Sequence, residues 1–208
     1  MDVLTDQHFP YEFVGGVLVL ELVNTETIKR GERREFLKDS EALRWWWEQA
    51  QQQYSEVEQV ASPALDEDQM LATLTAFRSA MRRLFTTVIE RRRVAVEDLD
   101  TLNQALAKAQ RSVIQQTDGT FATFYRSDDS TSRMVVPIAL SAYRLLTEGD
   151  LTRLHKCSND TCMRLFYDQT KNATRQWCTP KCLDKVRSRR RYALKKAQHT
   201  DSSDDSSA

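Results

Sequence analysis

The stretch CSNDTCMRLFYDQTKNATRQWCTPKC, residues 157 to 182, holds all four cysteines of this 208-residue chain. They follow the spacing C-x4-C-x15-C-x3-C, through Cys157, Cys162, Cys178 and Cys182. Four thiolates close the tetrahedral coordination sphere of Zn2+ and leave no position for water, which is typical of a structural site and not of a catalytic one. The spacing therefore predicts one structural zinc ion, which would supply most of the folding energy of a segment with almost no core, on the order of 10 kcal/mol.

The alternatives for the four thiols depend on the compartment. No apolar run approaches the roughly 20 residues that span a bilayer, and the opening MDVLTDQHFP lacks the basic side chains of a signal peptide. We therefore expect a cytoplasmic protein, in which clustered cysteines bind metal more often than they form disulfides. An iron–sulfur cluster stays open because four thiolates also suit iron, whereas a redox pair is disfavoured because neither spacing is C-x-x-C. His155, just before Cys157, is interpreted as a bystander.

The residues around the thiols predict local structure. Apolar residues at 165 to 167 and polar turn residues at 169 to 172 predict a hairpin between the second and third cysteines. Thr179 and Pro180 are a favourable N-cap and first helical residue, so we expect a helix from there to about Ala197. Cys182 would lie in its first turn, where the helix dipole stabilises anionic sulfur. Knuckle, hairpin and ligand-bearing helix follow in the order of a treble-clef-like finger.

Charge is distributed unevenly along the chain. Residues 1 to 150 carry 17 Lys and Arg against 24 Asp and Glu, a net charge of −7. Residues 151 to 199 carry 13 basic and three acidic residues, a net charge of +10, and residues 200 to 208 add −3, so that the whole chain sums to zero. This asymmetry predicts an acidic body and a basic end that seeks anions.

The basic end predicts a nucleic-acid contact. On a helix, Arg187, Arg191 and Lys195 share one stripe at four-residue steps, which can lie against a phosphate backbone or enter a major groove. The nine candidate residues are Lys171, Arg175, Lys185, Arg187, Arg189, Arg190, Arg191, Lys195 and Lys196. Three alternatives stay open. The basic residues could dock on an acidic protein surface or on the body itself, or they could form a solvated face without a partner. Lys185 and Arg175 could instead compensate the −2 charge of a tetrathiolate zinc site.

Residues 1 to 150 predict an α+β body, mainly helical with a small β-hairpin. The apolar run from Phe13 to Glu26 is too dense to separate helix from buried strand. Helices are predicted from Asp39 or Ser40 to about Gln52, from 66 to 92, from 97 to 110, and from 135 to 147 with Pro137 near its first turn. Arg91, Arg92 and Arg93 lie where cations suit the C-terminus of the second of these helices. A hairpin is predicted over 111 to 127, with its turn at Asp118 and Gly119. The acidic end, 198 to 208, is expected to be disordered.

The stretch from Cys157 to Tyr192 resembles the CGNR-type zinc finger of bacterial transcription regulators. The matching residues, in order, are Phe166, Asp168, Asn172, Arg175, Trp177 and Cys178, beside the shared cysteine spacing. The sequence that names the finger is here Cys182, Leu183, Asp184 and Lys185. The ligand and the positive charge are retained, whereas the Gly and the Asn are not.

Residues 1 to 150 are more loosely similar to the ABATE domain that precedes this finger in the family. Gly16, Leu20, Asn24 and Thr25 fit its opening pattern, with Glu21 where Asp is usual, and Leu43 and Trp46 fit a later L-x-x-W. The resemblance implies a DNA-binding transcription regulator with a regulatory domain at 1–150, the finger at 151–197, and a body that senses a small molecule or forms a homodimer. The alternatives are an adaptor that binds an acidic protein surface and an RNA binder.

The ligand-binding candidates of the body are Asn24, Thr25 and Trp46. Trp45, Trp46 and Trp47 fan across about 200° of a helix, so one core-facing stripe cannot hold all three. One or two are expected in the core, and the other beside a ligand or a dimer contact. No catalytic constellation is present, because the histidines His8, His155 and His199 are scattered and no glycine-rich phosphate loop occurs. We therefore predict no enzymatic activity and no catalytic residue.

Overall fold

The computed structural model describes residues 11–29, 31–54, 67–126 and 130–204. The body contains α1 (Leu18–Asn24), β1 (Glu26–Lys29), β2 (Glu32–Glu35), α2 (Ser40–Gln53), α3 (Glu67–Ile89), α4 (Val96–Ala107), β3 (Gln110–Gln115), β4 (Phe121–Arg126) and α5 (Ser130–Thr147). A 3-10 turn at Leu151–Arg153 leads to β5 (Leu154–Lys156), β6 (Leu165–Tyr167) and α6 (Pro180–Asp204). The strands pair in sequence order as antiparallel two-stranded sheets. The predicted α+β class is confirmed.

The ambiguous apolar run forms helix α1 at the centre of the molecule. Every residue of α1, from Leu18 to Asn24, is buried. The helix contacts α3, α5 and β6, so it is covered on all sides and needs no polar face. This explains why its sequence carries no helical periodicity.

Two local predictions are confirmed, one for the start of a helix and one for the turn of a hairpin. Asp39 caps α2, with its carboxylate accepting a hydrogen bond from the Ala42 N–H at 2.8 Å. The hairpin of β3 and β4 turns at Asp118 and Gly119, where Gly119 has a φ of +85° that favours glycine. Arg91, Arg92 and Arg93 lie just beyond the C-terminal end of α3 at Ile89, where cations suit the helix dipole.

The prediction for Pro137 is wrong. Helix α5 begins at Ser130, so Pro137 lies in its interior and not in its first turn. A proline there removes a backbone hydrogen bond, at a cost of about 3 kcal/mol. The residues beside it, 134 to 136 and 138 to 139, are all buried in the core, and their burial offsets this cost.

The core of the body holds two of the three consecutive tryptophans. Trp46 and Trp47 are buried, and half-buried Trp45 packs against Phe13 and Phe36 with ring centroids at 6.5 and 5.5 Å. The prediction that one stripe cannot bury all three is consistent with this arrangement.

Helix α6 runs past the predicted end at Ala197 to Asp204. The first part of the segment expected to be disordered, 198 to 204, is therefore helical, and residues 205 to 208 lie outside the described residues. Strong helix formers between Tyr192 and Gln198 favour propagation into this polar end. Among the described residues, no helix has the length and the hydropathy that a membrane crossing requires.

Candidate metal centre and basic helix

The four cysteine sulfurs converge on one point. Their Sγ atoms all lie within 4.8 Å of one another, and all four residues are buried. The Sγ of Cys178 lies 3.7 Å from that of Cys162 and 3.5 Å from that of Cys182. Zn–S bonds of about 2.3 Å in a tetrahedron require sulfur separations of about 3.8 Å, whereas a disulfide requires about 2.05 Å. The donor set therefore fits one structural zinc ion.

The close approach of the thiols changes their acidities. The pKa of Cys157 is lowered to about 2 because Cys162 and Cys178 donate hydrogen bonds to its sulfur. Those same contacts raise the pKa of Cys162 to about 11 and raise that of Cys178. Bound zinc would link the segment that carries Cys157 and Cys162 to the one that carries Cys178 and Cys182. With four thiolate ligands it would have no open coordination position.

The hairpin of the metal centre differs from the predicted one. Strand β6 pairs with β5, which precedes the first cysteine, and not with residues that follow the turn. The knuckle between Cys157 and Cys162 therefore forms the connection of this hairpin, closed by a 2.7 Å bond from the Cys162 N–H to the Asn159 carbonyl. His155 lies in β5 against Phe166 and is outside the sulfur cluster.

A buried aspartate explains why the chain does not return as a strand. Asp168 is fully buried, and its two carboxylate oxygens accept from the N–H groups of Thr170 and Arg175, each at 2.8 Å. This double contact closes residues 168 to 175 into a compact loop. Asp168, one of the residues that match the CGNR-type finger, thus has a structural role.

Arg175 links that loop to the metal centre. Its guanidinium lies 4.4 Å from the centroid of the Phe166 ring. Its Nε donates to the Trp177 carbonyl at 3.1 Å, and its Nη2 donates to the carbonyls of Cys178 at 2.5 Å and Val14 at 3.1 Å. The side chain predicted to contact nucleic acid therefore holds the finger together and joins it to the body.

The finger and the body share one hydrophobic core. Leu154 and Leu165 of the finger are buried in the same cluster as α1, α2 and α3. The Asn24 side chain bonds to the Leu165 backbone, and the Tyr167 N–H donates to the Gly15 carbonyl at 2.8 Å. At this seam Gly16 has a φ of +80°, and an added Cβ would lie 2.9 Å from the Tyr167 carbonyl oxygen.

Family comparisons account for both parts of the chain. Residues 16–149 match the family model named "ABATE: Putative stress-induced transcription regulator". The chain belongs to the ABATE family. Residues 153–195 match the CGNR zinc finger. The comparison with functionally curated proteins gives no match. Both matched families are regulatory or zinc-finger types and not enzyme families.

A second residue predicted to contact nucleic acid, Arg189, also makes contacts within the CGNR finger. Arg189 donates to the side chains of Asn159 and Thr161 in the knuckle. Its Nη1 also lies 3.7 Å from Oδ2 of Asp160. Asn159 in turn donates to the sulfur of Cys182 at 3.5 Å. Arg189 therefore fastens α6 to the knuckle.

The other seven predicted residues are exposed. They are Lys171 in the loop and Lys185, Arg187, Arg190, Arg191, Lys195 and Lys196 on α6. Lys171 is separated from the six others in sequence and lies outside the helix that carries them. The structure thus shows a cationic surface on α6, and it gives Arg175 and Arg189 contacts within the protein.

Arg164 is a cation beside the metal centre that the sequence analysis missed. It is half-buried, and although burial lowers the pKa of its guanidinium, its electrostatic interactions with Cys178, Tyr11, Cys162 and Glu12 raise that pKa, for a net rise. Glu12 lies 3.7 Å from its guanidinium. Arg164 lies two residues after Cys162 in the sequence. This spacing could have been used to predict a cation that compensates the thiolates.

The ligand-binding candidates of the ABATE body contact other parts of the protein. Asn24 and Thr25 are buried, and Thr25 accepts from the Arg78 guanidinium at 2.9 Å. Trp46 is buried and stacks on Phe13 at 6.3 Å. Asn24 joins the body to the finger through Leu165, whereas Thr25 and Trp46 make their contacts within the body. A nearby cavity is lined by different residues.

Proposed function

We propose that this protein is a bacterial, cytoplasmic, DNA-binding transcription regulator, in which the ABATE body responds to an effector or forms a homodimer. The observation that carries the proposal is the exposed cationic surface of α6. Arg187, Arg191 and Lys195 are all exposed at four-residue steps along this helix. The family description of the ABATE match supports the regulatory part.

The anchoring of α6 favours a rigid contact with DNA. Cys182 in its first turn belongs to the metal centre, and Arg189 is bonded to the knuckle. From Arg190 to Lys196 every side chain is exposed, including Tyr192 at 72% and Leu194 at 65%. A helix about 10–12 Å wide fits the major groove, which is about 12 Å wide. The exposed part of α6 can therefore lie in the groove while the metal centre fixes the direction of the helix.

The contacts between finger and body argue against self-docking of this surface. The finger binds the body through β6, the 168–175 loop and Lys181, which pairs with Glu12. The stripe residues Arg187, Arg191 and Lys195 remain exposed in this docked arrangement. Their charge is thus available to an external anion.

Fluorescence polarisation with a labelled random duplex, at several salt concentrations, tests the proposal. If about five phosphates are contacted, the slope of log K against log salt should be near −4 to −5. Changing Arg187, Arg191 and Lys195 together to Gln should reduce the magnitude of this slope by about 3. The matched control changes the exposed body residues Arg93, Lys108 and Arg111 to Gln and should leave the slope within about 1 of the wild type.

The same assay separates regulation from the alternatives. A sequence preference in a selected duplex library supports a regulator, and preference for single-stranded RNA supports an RNA binder. Zinc-loaded protein that binds no nucleic acid at low salt contradicts the proposal and favours an adaptor for an acidic protein surface.

A further inference from the structure

A cavity of about 690 Å³ lies at the seam between the body and the finger. Its lining residues are Phe13, Val14, Gly16, Val17, Glu21, Gln53, Tyr54, Gln169 and Arg175. The volume falls within the range of small-molecule sites, about 300–1,000 Å³. Because both parts of the chain form the walls, an occupant would contact body and finger at once.

One part of the lining is apolar and aromatic. Phe13 and Tyr54 face each other with ring centroids 6.4 Å apart, and Val14 and Val17 line the same cavity. Rings of this kind favour a flat apolar group, which can stack or pack edge to face. The lining therefore suits an aromatic ligand.

The carboxylate in the wall cannot serve as the partner of a cation. Oε1 of Glu21 accepts from the N–H groups of Gly15 and Gly16, at 2.7 and 3.2 Å, and from the Tyr54 hydroxyl at 2.8 Å. Its Oε2 accepts from the Val14 N–H at 3.1 Å. The Tyr11 hydroxyl also donates to Oε2, at 3.1 Å. The carboxylate is thus already held by five donors, and a cationic ligand would have to displace them.

The remaining polar groups favour an anion. Arg175 uses Nε and Nη2 for backbone carbonyls, and its Nη1 makes no hydrogen bond to the residues that the structure describes. No carboxylate of that described part pairs with its charge. Gln53, also in the wall, has a carboxamide without a partner among the same residues. A carboxylate on the ligand can accept from both groups, and arginine suits carboxylates particularly well.

We propose that this seam cavity binds a small aromatic carboxylate, with its ring beside Phe13 and Tyr54 and its carboxylate at Arg175. The proposal deepens the effector-sensing part of the proposed function by naming the site and the ligand class. Arg175 also bonds to the carbonyl of the metal-ligating Cys178. An occupant of the cavity therefore stabilises the docked finger and slows the loss of zinc.

Calorimetry of the full-length zinc-loaded protein with 2-naphthoate and with the uncharged 2-naphthamide tests the site. Wild-type protein should bind one naphthoate, and binding should slow zinc transfer to a chromogenic chelator. Gln53→Glu places a negative charge in the wall and should weaken naphthoate binding by about fivefold or more, with less than about twofold effect on the amide. Gln52→Glu is the matched control, since this exposed neighbour is outside the wall, and it should change neither ligand by more than about twofold.

Three results would overturn the proposal. The first is no saturable naphthoate binding to wild-type protein, and the second is an equal effect of the two Glu substitutions. The third is naphthoate binding with no change in the rate of zinc transfer, which overturns the link to the finger. Duplex binding is measured separately on the same samples, so that its failure contradicts DNA binding and leaves the cavity result standing.

Discussion

Asn24 of α1 and Leu165 of β6 form a reciprocal pair of hydrogen bonds across the seam between body and finger. The Asn24 Nδ2 donates to the Leu165 carbonyl at 2.7 Å, and its Oδ1 accepts from the Leu165 N–H at 2.9 Å. Both residues are buried. The carboxamide thus bonds to the backbone of β6 as a neighbouring strand would. In this way the first helix of the body satisfies the backbone groups of a residue in the finger.

Asn24→Asp should destabilise the whole protein. The substitution removes the donor to the Leu165 carbonyl and places a charge beside it in a buried position, which costs about 2–4 kcal/mol of unfolding free energy. Chemical denaturation of zinc-loaded protein measures the loss. Asn172→Asp makes the same chemical change at an exposed position of the finger and should cost less than about 0.5 kcal/mol. If the two substitutions lowered the free energy of unfolding equally, the contact between Asn24 and Leu165 would not be a major contribution to stability.

Removal of zinc should lower the stability of the body as well as that of the finger. Leu154 and Leu165 belong to the core of the body, so that loss of the metal centre exposes core side chains beyond the finger itself. We expect a loss of several kcal/mol in the unfolding of the body after chelation or in Cys162→Ser. Tryptophan fluorescence in a Trp177→Phe background reports on Trp45, Trp46 and Trp47 alone. An unchanged denaturation midpoint after chelation would contradict the shared core.

Arg175→Gln should speed zinc release and reduce stability. It leaves the carbonyls of Val14, Trp177 and Cys178 without their donor, at a cost of about 2–4 kcal/mol. Lys171→Gln removes a positive charge from the same loop without these bonds and is the control. Transfer of zinc to a chelator and thermal unfolding measure both variants. Normal zinc retention in Arg175→Gln, together with weaker DNA binding, would restore this arginine to the nucleic-acid surface.

The cap of α2 should give a pH-dependent contribution to stability. The Ala42 N–H holds the pKa of Asp39 below its ordinary value of 3.8. Because the folded-state pKa is lowered, the contribution is present above the unfolded-state pKa and is lost as pH falls through the folded-state value. Asp39→Ala should cost about 1 kcal/mol at neutral pH, with a smaller difference from wild type in acid.

Asp39→Asn is the control for this titration, since Asn also caps a helix but carries no charge. Its difference from Asp39→Ala should not depend on the protonation of residue 39. A gap between wild type and Asp39→Ala that stays constant down to the lowest pH at which both fold would contradict the assignment.

Elements with local causes were predictable from the sequence. The cysteine spacing indicated the metal site, because each pair lies on a short segment that can turn two sulfurs toward one ion. Asp39 and Thr179 indicated helix starts for the same kind of reason: a cap bonds within three residues of itself, as in the 3.3 Å bond from the Cys182 N–H to the Thr179 hydroxyl. Asp118 and Gly119 indicated the hairpin turn.

The sequence by itself determined the four metal ligands, the start of the basic helix and the charge of its surface, because these depend on neighbours along the chain. Only the tertiary structure decided that Pro137 lies inside a helix, that β6 pairs with β5, and that Arg175 serves the fold. It alone joined Asn24 to Leu165, which is 141 residues away. Such contacts depend on which buried polar groups meet after the core has packed, and no local pattern specifies that.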